Sequence, residues 1–306
     1  MKEIKLGNSN LSASNIALGC MRMAALDVDA AMNVIKTSLE NGINFFDHAD
    51  IYGRGQSETI FGEAIKRLGV KREDIIVQSK CGIRPGRFDF SKEHILNSVD
   101  EILARLSMDY LDVLVLHRPD TLFDPKEVAE TFKELKAANK VRYFGVSNQN
   151  PRQIELLKKY LGDEPLLVNQ LQFSIMHTGM IDSGFNVNMK NDAGINRDDS
   201  ILEYCRLHNI TIQAWSPFQY GFFEGVFLDN EKFPELNAVI DRIAEKYNVT
   251  NNAIAVSWIL THPATMQVIV GTMNPTRIAD SSKAANLVLT REEWYEIYLA
   301  AGNVLP

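Results

Sequence analysis

Eight short apolar runs, each followed by a longer amphipathic stretch, most restrict the folds open to this 306-residue chain. The runs cover residues 16–19, 44–47, 75–80, 111–117, 142–147, 166–172, 211–215 and 268–271. β-Branched and large apolar residues dominate them, as in parallel strands buried on both faces. Helical patterns lie between them at 29–41, 91–106, 127–138, 151–160, 200–208 and 232–247. In the first, Ala30, Ala31, Val34, Ile35 and Leu39 keep a helical spacing, and Ser91 is placed to cap the second. Strand and helix alternating eight times predict an α/β fold, a closed (β/α)8 TIM barrel forming one domain over residues 1–306. An open doubly wound sheet more often carries G-x-G-x-x-G after its first strand, and none occurs there.

Two segments fall outside the repeat. Residues 2–5 and 11–14 predict an N-terminal β-hairpin with Gly7-Asn8-Ser9-Asn10 as its turn, suited to closing the barrel floor. A last helix is expected over 291–300 behind a Thr290 cap. Two connections are long: 174–199, rich in Gly, Asn, Asp and Met, and 216–231, rich in Phe and Gly. Both follow strands, which puts them on the C-terminal face where barrel sites lie.

Composition removes several classes of function. A net charge of −7 argues against a nucleic-acid surface. Hydrophobic residues at 45% and charged residues at 23% are ordinary for a water-soluble chain. No window reaches the ~18 apolar residues of a membrane span, and the first residues lack a signal-peptide pattern. Cys20, Cys81 and Cys205 are odd in number, widely spaced and without a C-x-x-C pair. That suits a reducing compartment, gives no metal signature, and sets the expectation of a cytoplasmic protein.

Chemistry gathers at the strand ends. Asp47, Lys80 and His117 close three successive apolar runs, and Tyr52 follows Asp47 by five residues in a turn marked by Gly53 and Gly55. A lone Asp is often a helix cap and a lone Lys is usually solvated. Barrel geometry brings all of them to one rim, where their combination calls for a chemical explanation. His48, Met21, Met23, Phe88, Phe218, Phe222 and Phe223 are candidate walls of a largely apolar pocket. Cys81, directly after Lys80, reads as packing.

The run Asp-His-Ala-Asp-Ile-Tyr-Gly-Arg-Gly-Gln-Ser-Glu from Asp47 to Glu58 resembles the signature of the aldo-keto reductase superfamily. The likeness extends from Leu18-Gly19 to Pro275-Thr276-Arg277 and takes in Gly145-Val146-Ser147-Asn148 and Asn169-Gln170. It implies a (β/α)8 barrel that interconverts carbonyls and alcohols with NADP(H), acting on a small aldehyde or ketone. Tyr52 would be the general acid, Lys80 the charge that lowers its pKa, and Asp47 the partner that fixes Lys80. His117 would hydrogen-bond the substrate oxygen. An ammonium beside a phenol favours the phenolate, and a positioned acid is worth roughly 10²–10⁴ in rate.

The same resemblance implies cofactor contacts. Ser147, Asn148 and Gln170 would hold the nicotinamide carboxamide, and Trp215 would stack on its ring. Ser216-Pro217-Phe218 would begin the loop over the pyrophosphate. Thr272, Asn274 and Arg277 would take the 2′-phosphate; Gly19, Cys20, Met21, Asp47, Gly271 and Asp280 complete the expected set. Some relatives carry lysine where Gly271 stands, so NADPH is expected but NADH is not excluded. Two other readings remain: a slowly turning NADP(H)-binding regulatory subunit, and a lyase forming a Schiff base on Lys80. Asp47 and Arg277 argue against the lyase. The absence of a long segment before the barrel argues against the subunit.

Overall fold

A computed structural model describes all residues, 1–306. Eight parallel strands close into a barrel: β1 (Ile16–Gly19), β2 (Phe45–Asp47), β3 (Ile76–Cys81), β4 (Leu111–Leu116), β5 (Val141–Ser147), β6 (Leu166–Gln172), β7 (Thr211–Trp215) and β8 (Met266–Val270). They pair in chain order, and β8 returns to β1 through Val268 opposite Ile16. The eight expected strands are therefore present, three with the expected bounds and five with bounds shifted by one or two residues. β3 runs on through Cys81, while His117 and Gly271 lie one residue past their strands.

Side chains alternate along a strand, so each strand divides its residues between two cores. Outward residues such as Phe46, Val77, Leu114 and Val268 join the large cluster beneath the helices. Inward residues such as Ala17, Phe45, Ile76, Val113 and Val115 form a small inner cluster with Leu6, Leu11 and Ala13. Those three come from the hairpin Glu3–Lys5/Ser12–Ser14, which pairs antiparallel as expected. Gly7, at φ 49°, lies so close to Leu167 that a Cβ there would sit 2.7 Å from its carbonyl oxygen. Its N–H donates to Thr211 Oγ1 at 3.0 Å, tying the hairpin turn to the starts of β6 and β7. The hairpin thus plugs the N-terminal end of the barrel.

Helices α1 (Val28–Glu40), α2 (Gln56–Leu68), α3 (Lys92–Leu106), α4 (Pro125–Ala137) and α5 (Pro151–Leu161) cover the first five strands. Ser91 caps α3 by accepting from the His94 N–H. The long connection after β6 contains α6 (Gly179–Phe185) before α7 (Ile201–Leu207). The one after β7 folds into a tiny hairpin, Gln219–Tyr220 against Gly225–Val226. α8 (Pro234–Tyr247), α9 (Asn251–Thr261), α10 (Pro275–Ser282) and α11 (Arg291–Ala300) complete the shell. Thr290 forms a capping box with Glu293 at the start of α11. Trp258 of α9 and Trp294 of α11 stack 4.7 Å apart, and each indole N–H donates to the other's carbonyl. No helix is long and apolar enough to cross a membrane.

Candidate active site

The last inward positions of the strands build the site. On β2, Phe45 points in, Phe46 out and Asp47 in; on β3, Ile76, Gln78 and Lys80 share the inward face. Carrying β4 one step beyond Val115 places the next inward side chain at His117. The backbone then turns sharply. Arg118, Asn148 and Ser216, each directly after a rim residue, take left-handed φ values of 71°, 55° and 54°. Non-glycine residues adopt that conformation at a cost and concentrate at functional sites.

Lys80 is fully buried. Its ammonium lies 2.8 Å from Asp47 Oδ1, donates to the His48 carbonyl at 2.6 Å, and reaches the Tyr52 hydroxyl at 3.2 Å. Burial pushes its pKa down, but the charge of Asp47 and then Tyr52 outweighs this and moves it up. The group is an ammonium at neutral pH. His117 goes the other way: burial, then Lys80 and Arg118, hold it well below the usual histidine range. Its ring is a neutral imidazole with Nδ1 buried and unpartnered, edge-on to Tyr52 with centroids 6.3 Å apart.

Lys80 lowers the Tyr52 pKa, as expected, but does not set its net direction. Burial, the largest influence, raises it; Lys80 lowers it; Asp47 raises it again, and the net direction is upward. The hydroxyl therefore keeps its proton at neutral pH. A proton donor held by a buried ammonium above a neutral imidazole is an arrangement able to protonate and orient a substrate oxygen.

Beneath this group lies a polar ladder that the apolar runs concealed. Gln170, Gln213 and Gln267 are in-register neighbours on β6, β7 and β8, all inward and buried. Gln78 and Gln170 both donate to Asp47 Oδ1, at 2.6 and 3.1 Å. Gln213 bonds to Gln78 and Gln267, and Gln267 donates to the Ser14 carbonyl of the floor hairpin at 2.7 Å. The Asp47 carboxylate is thus anchored down the barrel axis to its closed end.

A cavity of about 590 Å³ opens above these residues. Of the residues expected to hold a cofactor, it is lined by Gly19, Met21, Asp47, Ser147, Asn148, Gln170, Trp215, Ser216, Pro217, Phe218, Gly271, Thr272 and Arg277, along with Tyr52 and His117. Three others lie outside the lining. Cys20 is fully buried, Asn274 accepts from the Arg277 N–H as the cap of α10, and Asp280 pairs with Lys283. Among the expected pocket walls, Met21, Phe218, Phe222 and Phe223 line the cavity; Met23, His48 and Phe88 do not. Met23 is buried in the core, and Phe88 stands on a separate two-residue strand, Arg87–Phe88. The His48 ring packs edge-on against Phe61 at 4.5 Å with neither nitrogen partnered. Burial and then Lys80 drive its pKa down to about 3. The alternation that sends Asp47 inward sends His48 outward. Arg118, Arg22, Ile51 and Val226 line the cavity without having been singled out; for Arg118, the signal was a charge directly after a strand-end histidine.

A closed parallel barrel with an Asp, Tyr, Lys and His gathered at its C-terminal rim beneath a deep cleft defines a class of barrel protein whose site stands at the strand ends. The chain matches the Aldo/keto reductase family over residues 15–300 and belongs to it. It is 33% identical to an uncharacterized oxidoreductase, YcsN, of Bacillus subtilis (strain 168), covering 98% of each chain. It is 32% identical to a 6-dehydroglucose reductase of Novosphingobium aromaticivorans, covering 99% of this chain and 96% of that one. The fold matches a crystal structure of the thermostable aldo-keto reductase Tm1743 in complex with the inhibitor epalrestat. That match has a TM-score of 0.79 at 24% identity and covers 98% of this chain and all of the other.

Proposed function

We propose that this protein is an NADP(H)-dependent oxidoreductase that reduces an aldehyde or ketone to the alcohol, with Tyr52 as the proton donor. The reading rests above all on the Lys80 ammonium held 2.8 Å from Asp47 and 3.2 Å from the Tyr52 hydroxyl under an open cleft. Family membership supports oxidoreductase chemistry.

The residues present suit a nicotinamide dinucleotide. The Gln170 amide nitrogen is committed to Asp47 and Gln213, while its Oε1 receives no protein donor and can accept from a carboxamide. Arg277 makes no side-chain bond within the protein and sits in the first turn of α10, whose N-terminus favours phosphate. A Cβ at Gly271 would meet Arg22 Nη1 at 2.9 Å, so this glycine leaves the cleft open where a side chain would enter it. Phe223 already stacks on Trp215, with ring centroids 6.0 Å apart. A nicotinamide ring stacked on Trp215 would have to use the face that Phe223 leaves free or displace Phe223.

When bound, the reduced nicotinamide supplies the hydride to the carbonyl carbon. His117, neutral, donates a hydrogen bond to the carbonyl oxygen and sets its direction. As charge develops on that oxygen, Tyr52 passes it the hydroxyl proton. Lys80 stabilises the resulting phenolate, and Asp47 keeps Lys80 charged and in place.

The test is fluorescence titration of NADPH into wild type and Arg277→Ala, followed by NADPH oxidation with a panel of aldehydes. The expected result is binding weakened by the substitution and turnover abolished by Tyr52→Phe. Tight binding without turnover on any aldehyde would shift the assignment to a cofactor-sensing subunit. Failure to bind either nicotinamide cofactor would end the oxidoreductase reading.

A further inference from the structure

Arg118 has no role in the chemistry above. It follows His117, turns its backbone into the left-handed region at φ 71°, and lines the cleft half-buried. Its guanidinium makes no hydrogen bond and no ion pair with any residue of the chain. Instead it lies 5.4 Å from the centroid of Trp215 and 5.8 Å from that of Phe222. Phe222 is 65% exposed at the mouth of the cleft. Burial is the one influence that moves the Arg118 pKa, and it moves it down. No carboxylate stands near enough to compensate. The cleft lining holds three arginines, Arg22, Arg118 and Arg277, against one carboxylate, Asp47, which Lys80 already neutralises. On a chain of net charge −7 this is a local positive focus.

We propose that Arg118 is a specificity-determining residue that binds an anionic group, a carboxylate or a phosphate, on the far end of the carbonyl substrate. The guanidinium fork matches such groups in two-point geometry, and the aromatic rings of Trp215 and Phe222 hold it pre-oriented. Arg118 directly follows the imidazole that orients the carbonyl, and both residues line the same cleft. One end of the substrate is thus fixed by His117 and Tyr52 and the other by Arg118. This inference rests on the reductase reading, and its test separates the two.

The experiment compares 4-carboxybenzaldehyde with its neutral isostere 4-formylbenzamide, and glyceraldehyde 3-phosphate with glyceraldehyde, for wild type, Arg118→Met and Arg118→Lys. A charge-assisted bond of this kind corresponds to roughly 10- to 100-fold in binding. Arg118→Met is expected to lower kcat/KM for the anionic member of a pair by about that factor more than for the neutral member. The loss should lie mainly in KM, weaken with added salt in wild type, and be partly restored in Arg118→Lys. Whichever pair responds identifies carboxylate or phosphate. Equal losses on charged and neutral partners, or no wild-type preference for either anion, would overturn the proposal. Binding of 4-(hydroxymethyl)benzoate against 4-(hydroxymethyl)benzamide, followed by tryptophan fluorescence, needs no turnover. Arg118-dependent binding of the acid without reduction of any aldehyde would keep the anchor and remove the reductase. Binding that ignores both the charge and the substitution would remove the anchor.

Discussion

The Gln78 amide donates to Asp47 Oδ1 at 2.6 Å, the oxygen that also lies 2.8 Å from the Lys80 ammonium. The two residues are in-register neighbours on β3 and β2, so the bond follows from barrel register. Gln78→Met keeps the length of the side chain and removes both its donor and its acceptor. Gln213, which donates to Gln78 Oε1 at 3.1 Å, keeps Gln267 as its acceptor. Asp47 keeps Lys80 and Gln170 but loses its shortest partner. Denaturant unfolding is expected to show a loss of about 1–3 kcal/mol, together with slower carbonyl reduction at unchanged NADPH affinity. Unaltered stability would mean that the ladder supports nothing.

The upward shift of the Tyr52 pKa makes a prediction about pH. Burial is its main cause, with Lys80 opposing. Reduction needs the protonated phenol, so the proton stays available up to and beyond the ordinary tyrosine value of about 10. The rate of reduction should therefore show no basic limb from Tyr52 across the neutral range. Tyr52→Phe should cut turnover by roughly 10²–10⁴ while leaving NADPH affinity intact. A limb near pH 8 that vanishes in Tyr52→Phe would show that Lys80 wins after all.

Much of this site was legible because inward positions recur with period two. Asp47 and Lys80 fall on that series within their runs, and His117 extends it by one step. What stayed hidden had physical reasons. Gln78, Gln170 and Gln213 sit inside apolar runs and Gln267 just before one, where a single polar residue looks like an interruption until register sets Gln213 between Gln170 and Gln267 and within hydrogen-bond reach of Gln78. α9 is buried along Ala253–Ile259 and so carries no amphipathic period to read. α2 lies directly behind the Tyr52 turn, where Gly53 and Gly55 mask the start of a helix. His48 adjoins Asp47 in sequence, but alternation sends it to the opposite side of the strand. The Tyr52 pKa direction depends on burial depth, which sequence neighbours do not reveal.

Gly62 of α2 shows how close helix packing reverses a propensity rule. Replacing a mid-helix glycine by alanine normally gains about 1 kcal/mol. Here a Cβ would sit 2.4 Å from the Leu106 carbonyl oxygen at the end of α3, a backbone atom that cannot rotate away. Gly62→Ala is expected to lower stability by about 1–3 kcal/mol, read as a fall in Tm. A rise in Tm would show that α2 and α3 can separate freely.

Asp50, two residues before Tyr52, gives the chain a pH-dependent weakness. Its Oδ1 is buried without a partner. Burial, and secondly the charge of Glu58, raise its pKa from 3.8 to about 7. Because the folded value exceeds the unfolded one, the native state binds more protons between these limits, and this residue's contribution to stability falls as pH rises through that window. Above about pH 7 the full cost of a buried carboxylate is present; below 3.8 it is absent. Asp50→Asn is nearly isosteric and uncharged, so it should stabilise the protein at pH 8 by up to about 4 kcal/mol, with the gain shrinking steadily toward pH 4. His48 acts in the opposite sense. Its folded pKa of about 3 lies below its unfolded 6.5, so its contribution is lost as pH falls through that range. Comparing Asp50→Asn with wild type at each pH cancels the histidine and isolates the carboxylate. Urea unfolding at pH 8, 6.5 and 5 reads the difference. A gain from Asp50→Asn that is the same at all three pH values would place the Asp50 pKa outside this window and refute its assignment as a buried, half-ionised group.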